Sequence, residues 1–305
     1  MIDVSVDLGF LKLHNPVIAA SGTFGYGLEF SQALDLNRLG GFVVKGLYFS
    51  PRQGNPPPRL AETSCGLINS IGLPGIGVKQ FSHEILPKLT GLQTAVIINI
   101  CGENREEYAS VADYLDKHEE ISAYELNISC PNVKKGGICP AQNPEDTYET
   151  VKLVKNSCST PVITKLSPNV TDISEIALSA QEGGSDALSL VNTFLAMDID
   201  AVTRKPKLGN IMGGLSGPAI KPIALRMVYQ AVRAVKIPVI GMGGIQTGRD
   251  AVEYLIAGAR AVQVGTANFI SPDATLQIID EINAFCEDNH IKKVEDLIRT
   301  LDIDS

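Results

Sequence analysis

Ile121-Ser122-Ala123-Tyr124-Glu125-Leu126-Asn127-Ile128-Ser129-Cys130-Pro131-Asn132 is the stretch whose reading decides the fold. The largely apolar run from Ile121 to Leu126 has the composition of a strand, and Pro131, which lacks an N–H, is poorly suited to extend it. The thiol of Cys130 and the carboxamides of Asn127 and Asn132 are therefore delivered into a loop at a strand's C-terminal end.

That arrangement recurs along the chain. Val17–Ala20 runs into Ser21-Gly22, Phe42–Val44 into Lys45-Gly46, Ala95–Ile98 into Asn99, and Tyr124–Leu126 into Asn127. Val162–Thr164 runs into Lys165, Ala187–Val191 into Asn192-Thr193, Pro238–Ile240 into Gly241-Met242-Gly243-Gly244, and Ala261–Val264 into Gly265-Thr266. Helical apolar spacing separates most of them, as in Ile173 to Ala180, Ala224 to Val235 and Ala251 to Ile256. Eight strands alternating with helices predict an α/β fold, the (β/α)8 TIM barrel, whose active sites lie at the C-terminal ends of the strands. Active-site insertions are expected after strands 2, 4 and 6, the longest being Gly46 to Thr94 and Phe194 to Ala219. Pro51 to Pro58, with four prolines, reads as an extended surface loop.

Local signals refine the plan. Asn143-Pro144-Glu145 and Ser271-Pro272-Asp273 each offer a capping side chain, a proline for the first helical position and an acid for the first turn. Val4 to Leu13, with Gly9 at its centre, predicts a hairpin closing the barrel floor, and His290 to Leu301 a terminal helix. No break in composition divides the 305 residues, which are expected to form one domain over 1–305.

A formal charge of −8 offers no basic footprint for nucleic acid. No apolar stretch is long enough for a bilayer and no secretory signal is evident, so the expectation is a soluble, cytoplasmic protein without a membrane or nucleic-acid partner. The six cysteines at 65, 101, 130, 139, 158 and 286 form no CxxC pair and no His/Cys cluster, so no metal is expected on this chain.

Cys130 has two chemical readings besides packing. A free thiol titrates near ~8.5, close enough to neutrality to serve as a base, and it is equally a nucleophile. The flexible Lys134-Lys135-Gly136-Gly137 segment that follows suits a loop closing over substrate. Glycines after consecutive strands, Gly243-Gly244 and Gly265-Thr266, admit backbone N–H groups close to a phosphate, and Gly214-Leu215-Ser216-Gly217 adds further donors. Lys45 and Lys165 at strand ends call for anionic partners, consistent with an anionic cofactor and an acidic substrate.

Taken in order, these motifs resemble the dihydroorotate dehydrogenase family, nearest its NAD-linked class 1 type B catalytic subunits. The resemblance spans nearly the whole chain through Ala20-Ser21-Gly22, Lys45-Gly46, Gly54-Asn55-Pro56, Asn69-Ser70-Ile71-Gly72-Leu73 and Asn127 to Asn132. It continues through Lys165-Leu166-Ser167-Pro168-Asn169, Gly213 to Pro218 and Gly241 to Gly244. The resemblance implies oxidation of dihydroorotate to orotate in pyrimidine synthesis. It makes Cys130 the base at substrate C5 while hydride passes from C6 to FMN. It implies an FMN site at Ser21, Lys45, Gly46, Asn99, Asn127, Lys165, Val191, Gly217, Gly243, Gly244, Gly265 and Thr266. The implied substrate contacts are Lys45, Asn69, Ser70, Ile71, Gly72, Leu73, Asn127, Asn132, Asn192 and Thr193. Carboxamides suit a pyrimidine ring because Asn matches both its N–H donors and its carbonyl acceptors. It further implies a partner subunit carrying FAD and an iron–sulfur cluster, NAD as terminal acceptor, and a heterotetramer of two catalytic and two partner chains.

The chain departs from the family pattern at Leu47-Tyr48 and at Ile138-Cys139-Pro140-Ala141. A fumarate-linked class 1 homodimer preserves nearly all the same chemistry. More distant readings are a Schiff-base lyase using Lys165 and a noncatalytic barrel.

Overall fold

The computed structural model describes residues 2–129 and 140–303. Cys130, Asn132, the Lys134 to Gly137 segment and Cys139 therefore lie outside the described residues. Eight parallel strands close a barrel: β1 Val17–Ala19, β2 Gly41–Val43, β3 Ala95–Ile100, β4 Ala123–Asn127, β5 Val162–Lys165, β6 Ala187–Leu190, β7 Val239–Met242 and β8 Ala261–Val264. Each pairs with its neighbour in sequence, and β8 returns to β1 through Gln263 opposite Ile18. All eight are buried along their whole length, as expected of strands packed by side chains within and by helices outside. That double burial is why they read as continuous apolar runs rather than as alternating ones.

The helices between strands start where their caps dictate. Asn143 accepts from the backbone N–H of Asp146 at the head of Pro144–Lys155, with Pro144 at the first position. Thr247 and Asp250 form a reciprocal capping box on Gly248–Ile256. The second expected cap is different. After β8 and the single turn Ala267–Ile270, the long helix runs Ala274–Asp288 with Asp273 before it, so Pro272 precedes the helix, and the Ser271 hydroxyl donates to the Asp273 carboxylate at 2.5 Å instead of capping.

The N-terminal hairpin forms as expected, with Val6–Asp7 antiparallel to Lys12–Leu13 around a left-handed Gly9. The terminal helix does not. Residues 290–301 contain only the short 3-10 turn Val294–Leu297, flanked by left-handed backbone at His290 and Arg299. The backbone there is paired elsewhere: Asp3 donates to Lys292 O and Val294 donates to Asp3 O, both at 2.9 Å. The carboxyl-terminal segment therefore stitches onto the amino terminus, which a continuous helix would forbid.

The two long insertions do not remain separate loops. Leu60–Thr63 and Gly66–Asn69, after β2, join Phe194–Met197 and Met212–Ser216, after β6, in one four-stranded antiparallel sheet. Its central pairing, Gly214 to Asn69 and Ser216 to Leu67, joins positions about half the chain apart. The proline-rich 51–58 segment is free of helix and strand apart from one bridge at Arg52, and Pro58 O accepts from Gly209 of the other insertion.

Candidate active site

Between the C-terminal mouth of the barrel and this added sheet lies a cavity of about 280 Å³. Its wall gathers Ser21, Lys45, Gly46, Asn69, Ile71, Gly72, Leu73, Asn99, Asn127, Lys165, Val191, Asn192, Thr193, Gly217, Gly243, Gly244, Gly265 and Thr266. Ser70 is not on the wall: it is buried, and its hydroxyl accepts from Asn55 Nδ2 at 3.0 Å. Successive residues of Gly66–Asn69 and its continuation face opposite sides, so Asn69 and Ser70 diverge. Leu47 and Tyr48 are likewise buried away from the wall, with Arg52 stacked 4.2 Å from the Tyr48 ring.

The asparagines form one network. Asn127 Nδ2 donates to Asn99 Oδ1 at 3.1 Å, Ser129 Oγ donates to Asn127 Oδ1 at 3.3 Å, and Asn192 Nδ2 donates to Ser129 Oγ at 2.9 Å. Tyr108, on the helix Arg105–Leu115, donates to the Asn127 carbonyl at 3.0 Å and so anchors the end of β4 from outside the barrel. Asn169 pins the start of the second insertion, donating to Thr193 O and accepting from Leu195 N.

Beneath this layer sits Glu125, fully buried in β4. Its carboxylate accepts from Asn99 Nδ2 and Gln263 Nε2, each at 2.7 Å, from Ser189 Oγ at 3.0 Å, and from Ser21 Oγ and Lys165 Nζ, each at 3.2 Å. Burial pushes its carboxyl upward, but the Lys165 ammonium and the hydrogen bonds from Gln263, Asn99 and Ser189 outweigh it and hold the group below its usual 4.5. Lys45 is pushed below its usual 10.5 by burial, opposed by Glu29 and reinforced by Arg59.

Glu125 and Gln263 were missed in the sequence reading. Their signal was a carboxyl and an amide in the middle of two largely apolar runs, Ala123–Leu126 and Ala261–Val264, a placement that burial makes costly unless it is paired.

Glycine supplies the opposite end of the cavity. Gly217 is left-handed at φ 94°, and a Cβ there would stand 2.8 Å from Gly66 Cα; on Gly244, at φ 70°, a Cβ would stand 2.9 Å from Lys221 N and 3.0 Å from Gly217 O. Only Gly permits both the conformation and the approach. Lys221 in turn pairs with Asp250 and Glu253, which fixes the helix Lys221–Ala234 beneath these turns.

Among the described residues no group of three His, Cys, Asp or Glu side chains is placed to hold a metal. Among them, too, no helix is long and apolar enough to cross a membrane.

The family model for dihydroorotate dehydrogenase matches residues 4–286. A "Putative dihydroorotate dehydrogenase A (fumarate)" from Solibacter usitatus is 56% identical over 95% of this chain and 96% of its own. A "Dihydroorotate dehydrogenase B (NAD(+)), catalytic subunit" from Thermoanaerobacter sp. is 51% identical over 99% of this chain and all of its own. A crystal structure of DHODH from Eimeria tenella in complex with ferulenol, at 22% identity, shares the fold with a TM-score of 0.80 over 98% of this chain and 88% of that one. With a family model spanning nearly the whole chain and full-length relatives above half identity, the chain belongs to the dihydroorotate dehydrogenase family.

Proposed function

We propose that this chain is the FMN-binding catalytic subunit of a cytoplasmic NAD-linked dihydroorotate dehydrogenase, a single-domain barrel oxidising dihydroorotate to orotate in pyrimidine synthesis. The observation that carries this reading is one cavity in which a glycine-lined end meets a wall of asparagines and two lysines. That donor set fits a flavin nucleotide. The turns at Gly217, Gly243, Gly244 and Gly265-Thr266 present backbone to a phosphate. At the barrel end, Lys165 and Asn99 offer charged and neutral donors, and buried Gln263 Oε1 has no hydrogen-bond partner among the described residues. An acceptor left so is expected to meet a donor on the bound group.

When bound, FMN supplies the hydride acceptor for substrate C6. The protein's own residues do the rest. Lys45 pairs with the substrate carboxylate, and Asn69, Asn127, Asn192 and, by sequence, Asn132 match the ring's amides and carbonyls. Neutral carboxamides orient the ring without competing for the proton that Cys130 removes from C5. The four-stranded cover, through Leu67, Asn69 and Ser216, limits water at the reacting face.

NAD is the acceptor that the type B relative's name gives, and it requires a separate subunit bearing FAD and an iron–sulfur cluster, in a heterotetramer. The Solibacter relative's name favours a second reading, direct use of fumarate. Anaerobic mixing of the purified chain with dihydroorotate tests the core reading, because bleaching of bound FMN is expected without any partner. Flavin that stays oxidised, or a chain that retains no FMN, would sink it. Turnover with fumarate, or with NAD plus the partner, then decides between acceptors.

A further inference from the structure

The barrel interior normally fills with branched apolar side chains. Here Asn99, Glu125, Lys165, Ser189 and Gln263, from five different strands, together with Ser21 after β1, build a polar layer directly under the cavity. The carboxylate at its centre is shut from solvent and does not itself line the cavity, whereas Lys165 does. A buried ion pair is poor stabilisation compared with apolar packing, so its presence here calls for a task.

We propose that Glu125 is a positioning residue for the redox reaction: it fixes the Lys165 ammonium at the cavity floor, offsets its charge, and thereby sets the reduction potential of the bound flavin. The inference rests on the FMN reading above and goes beyond it. Two-electron reduction of a flavin with uptake of one proton leaves one negative charge on the ring. A buried cation stabilises that charge and a buried anion opposes it, with little solvent to screen either.

The geometry gives Glu125 control of the cation. Lys165 Nζ lies 3.2 Å from Glu125 Oε1 and 3.2 Å from Ser21 Oγ, and Ser21 itself donates to Glu125. Among the described residues the one other ionisable side chain on the cavity wall is Lys45, whose charged neighbours are Glu29 and Arg59 rather than Glu125.

The test is the midpoint potential of FMN in wild type, Glu125→Gln and Lys165→Met, measured by dye equilibration at one neutral pH after FMN occupancy is determined. Failure of the wild type to bind FMN would reject the cofactor reading itself. With FMN bound, Glu125→Gln is expected to shift the equilibrium about tenfold toward reduced flavin, a rise of about 30 mV for a two-electron couple. Lys165→Met is expected to shift it the other way. A role confined to stability would lower occupancy or melting temperature and leave the potential in place, so an unchanged potential in Glu125→Gln overturns the proposal, and a fall does too. Should that variant not fold, Glu125→Asp, which withdraws the charge by one methylene, must show a smaller rise, and a wild-type potential there is equally fatal.

Discussion

Gly66 lies so close to Ser216 that a Cβ on it would stand 2.1 Å from the Ser216 carbonyl oxygen. The two residues come from different insertions, and their approach fastens the four-stranded cover above the cavity. Backbone cannot yield as a flexible side chain does. Gly66→Ala should cost about 1–3 kcal/mol and weaken FMN binding, while the far-ultraviolet dichroism of the barrel persists. Unchanged melting and FMN affinity would show that the insertions do not meet as described.

Lys45 carries a second prediction. The lysine is charged below its folded pKa, which burial places under the usual 10.5. Orotate should therefore bind progressively more weakly as pH rises into the alkaline range, by titration of bound flavin absorbance. Lys45→Met should bind about tenfold or more weakly at neutral pH, the loss of a charge-assisted hydrogen bond, and lack that pH dependence. Parallel alkaline profiles for the two proteins would remove Lys45 from carboxylate recognition.

Cys130 is testable by chemistry alone. Cys130→Ala should keep FMN and lose about 10²–10⁴-fold in single-turnover flavin reduction, the usual contribution of a general base. Cys130→Ser should be impaired at neutral pH because a hydroxyl is far harder to deprotonate. Wild-type reduction rates in a folded, flavin-loaded Cys130→Ala protein would reject the base.

Asp116 ties the Arg105–Leu115 helix to the approach of β5. Its carboxylate accepts from the backbone N–H and hydroxyl of both Ser159 and Thr160, at 2.8 to 2.9 Å. Burial pushes its pKa up, but these bonds prevail and hold it below the usual 3.8. With the folded value depressed, its stabilisation is complete above the unfolded pKa and is lost as pH falls through the folded one. Asp116→Asn should thus be less stable near neutrality, yet its melting temperature should fall less on acidification below about pH 4. An acid dependence equal to wild type would contradict this.

Division of labour gives the last prediction. The isolated chain should reduce its FMN with dihydroorotate but form NADH slowly or not at all until the proposed iron–sulfur flavoprotein partner is added. Fast NAD turnover by the single chain would refute this, and fast fumarate turnover would favour the reading attached to the Solibacter relative.

The sequence by itself determined the eight staves. Each is buried on both faces and so reads as a local apolar run, and each ends where Ser21, Lys45, Asn99, Asn127, Lys165, Asn192, Gly243 or Gly265 reaches the cavity. Propensity, period and the polar stop are properties of a few adjacent residues, which is why they were legible. Tertiary structure alone decided what meets across distance. It paired Gly66–Asn69 with Met212–Ser216, turned Ser70 toward Asn55, and drew 290–301 onto the amino terminus in place of a helix. It also joined Glu125 to Lys165 across 40 positions. The acid was visible in the sequence, but its partner was not, because the pairing of a buried charge is settled by which strands become neighbours when the barrel closes.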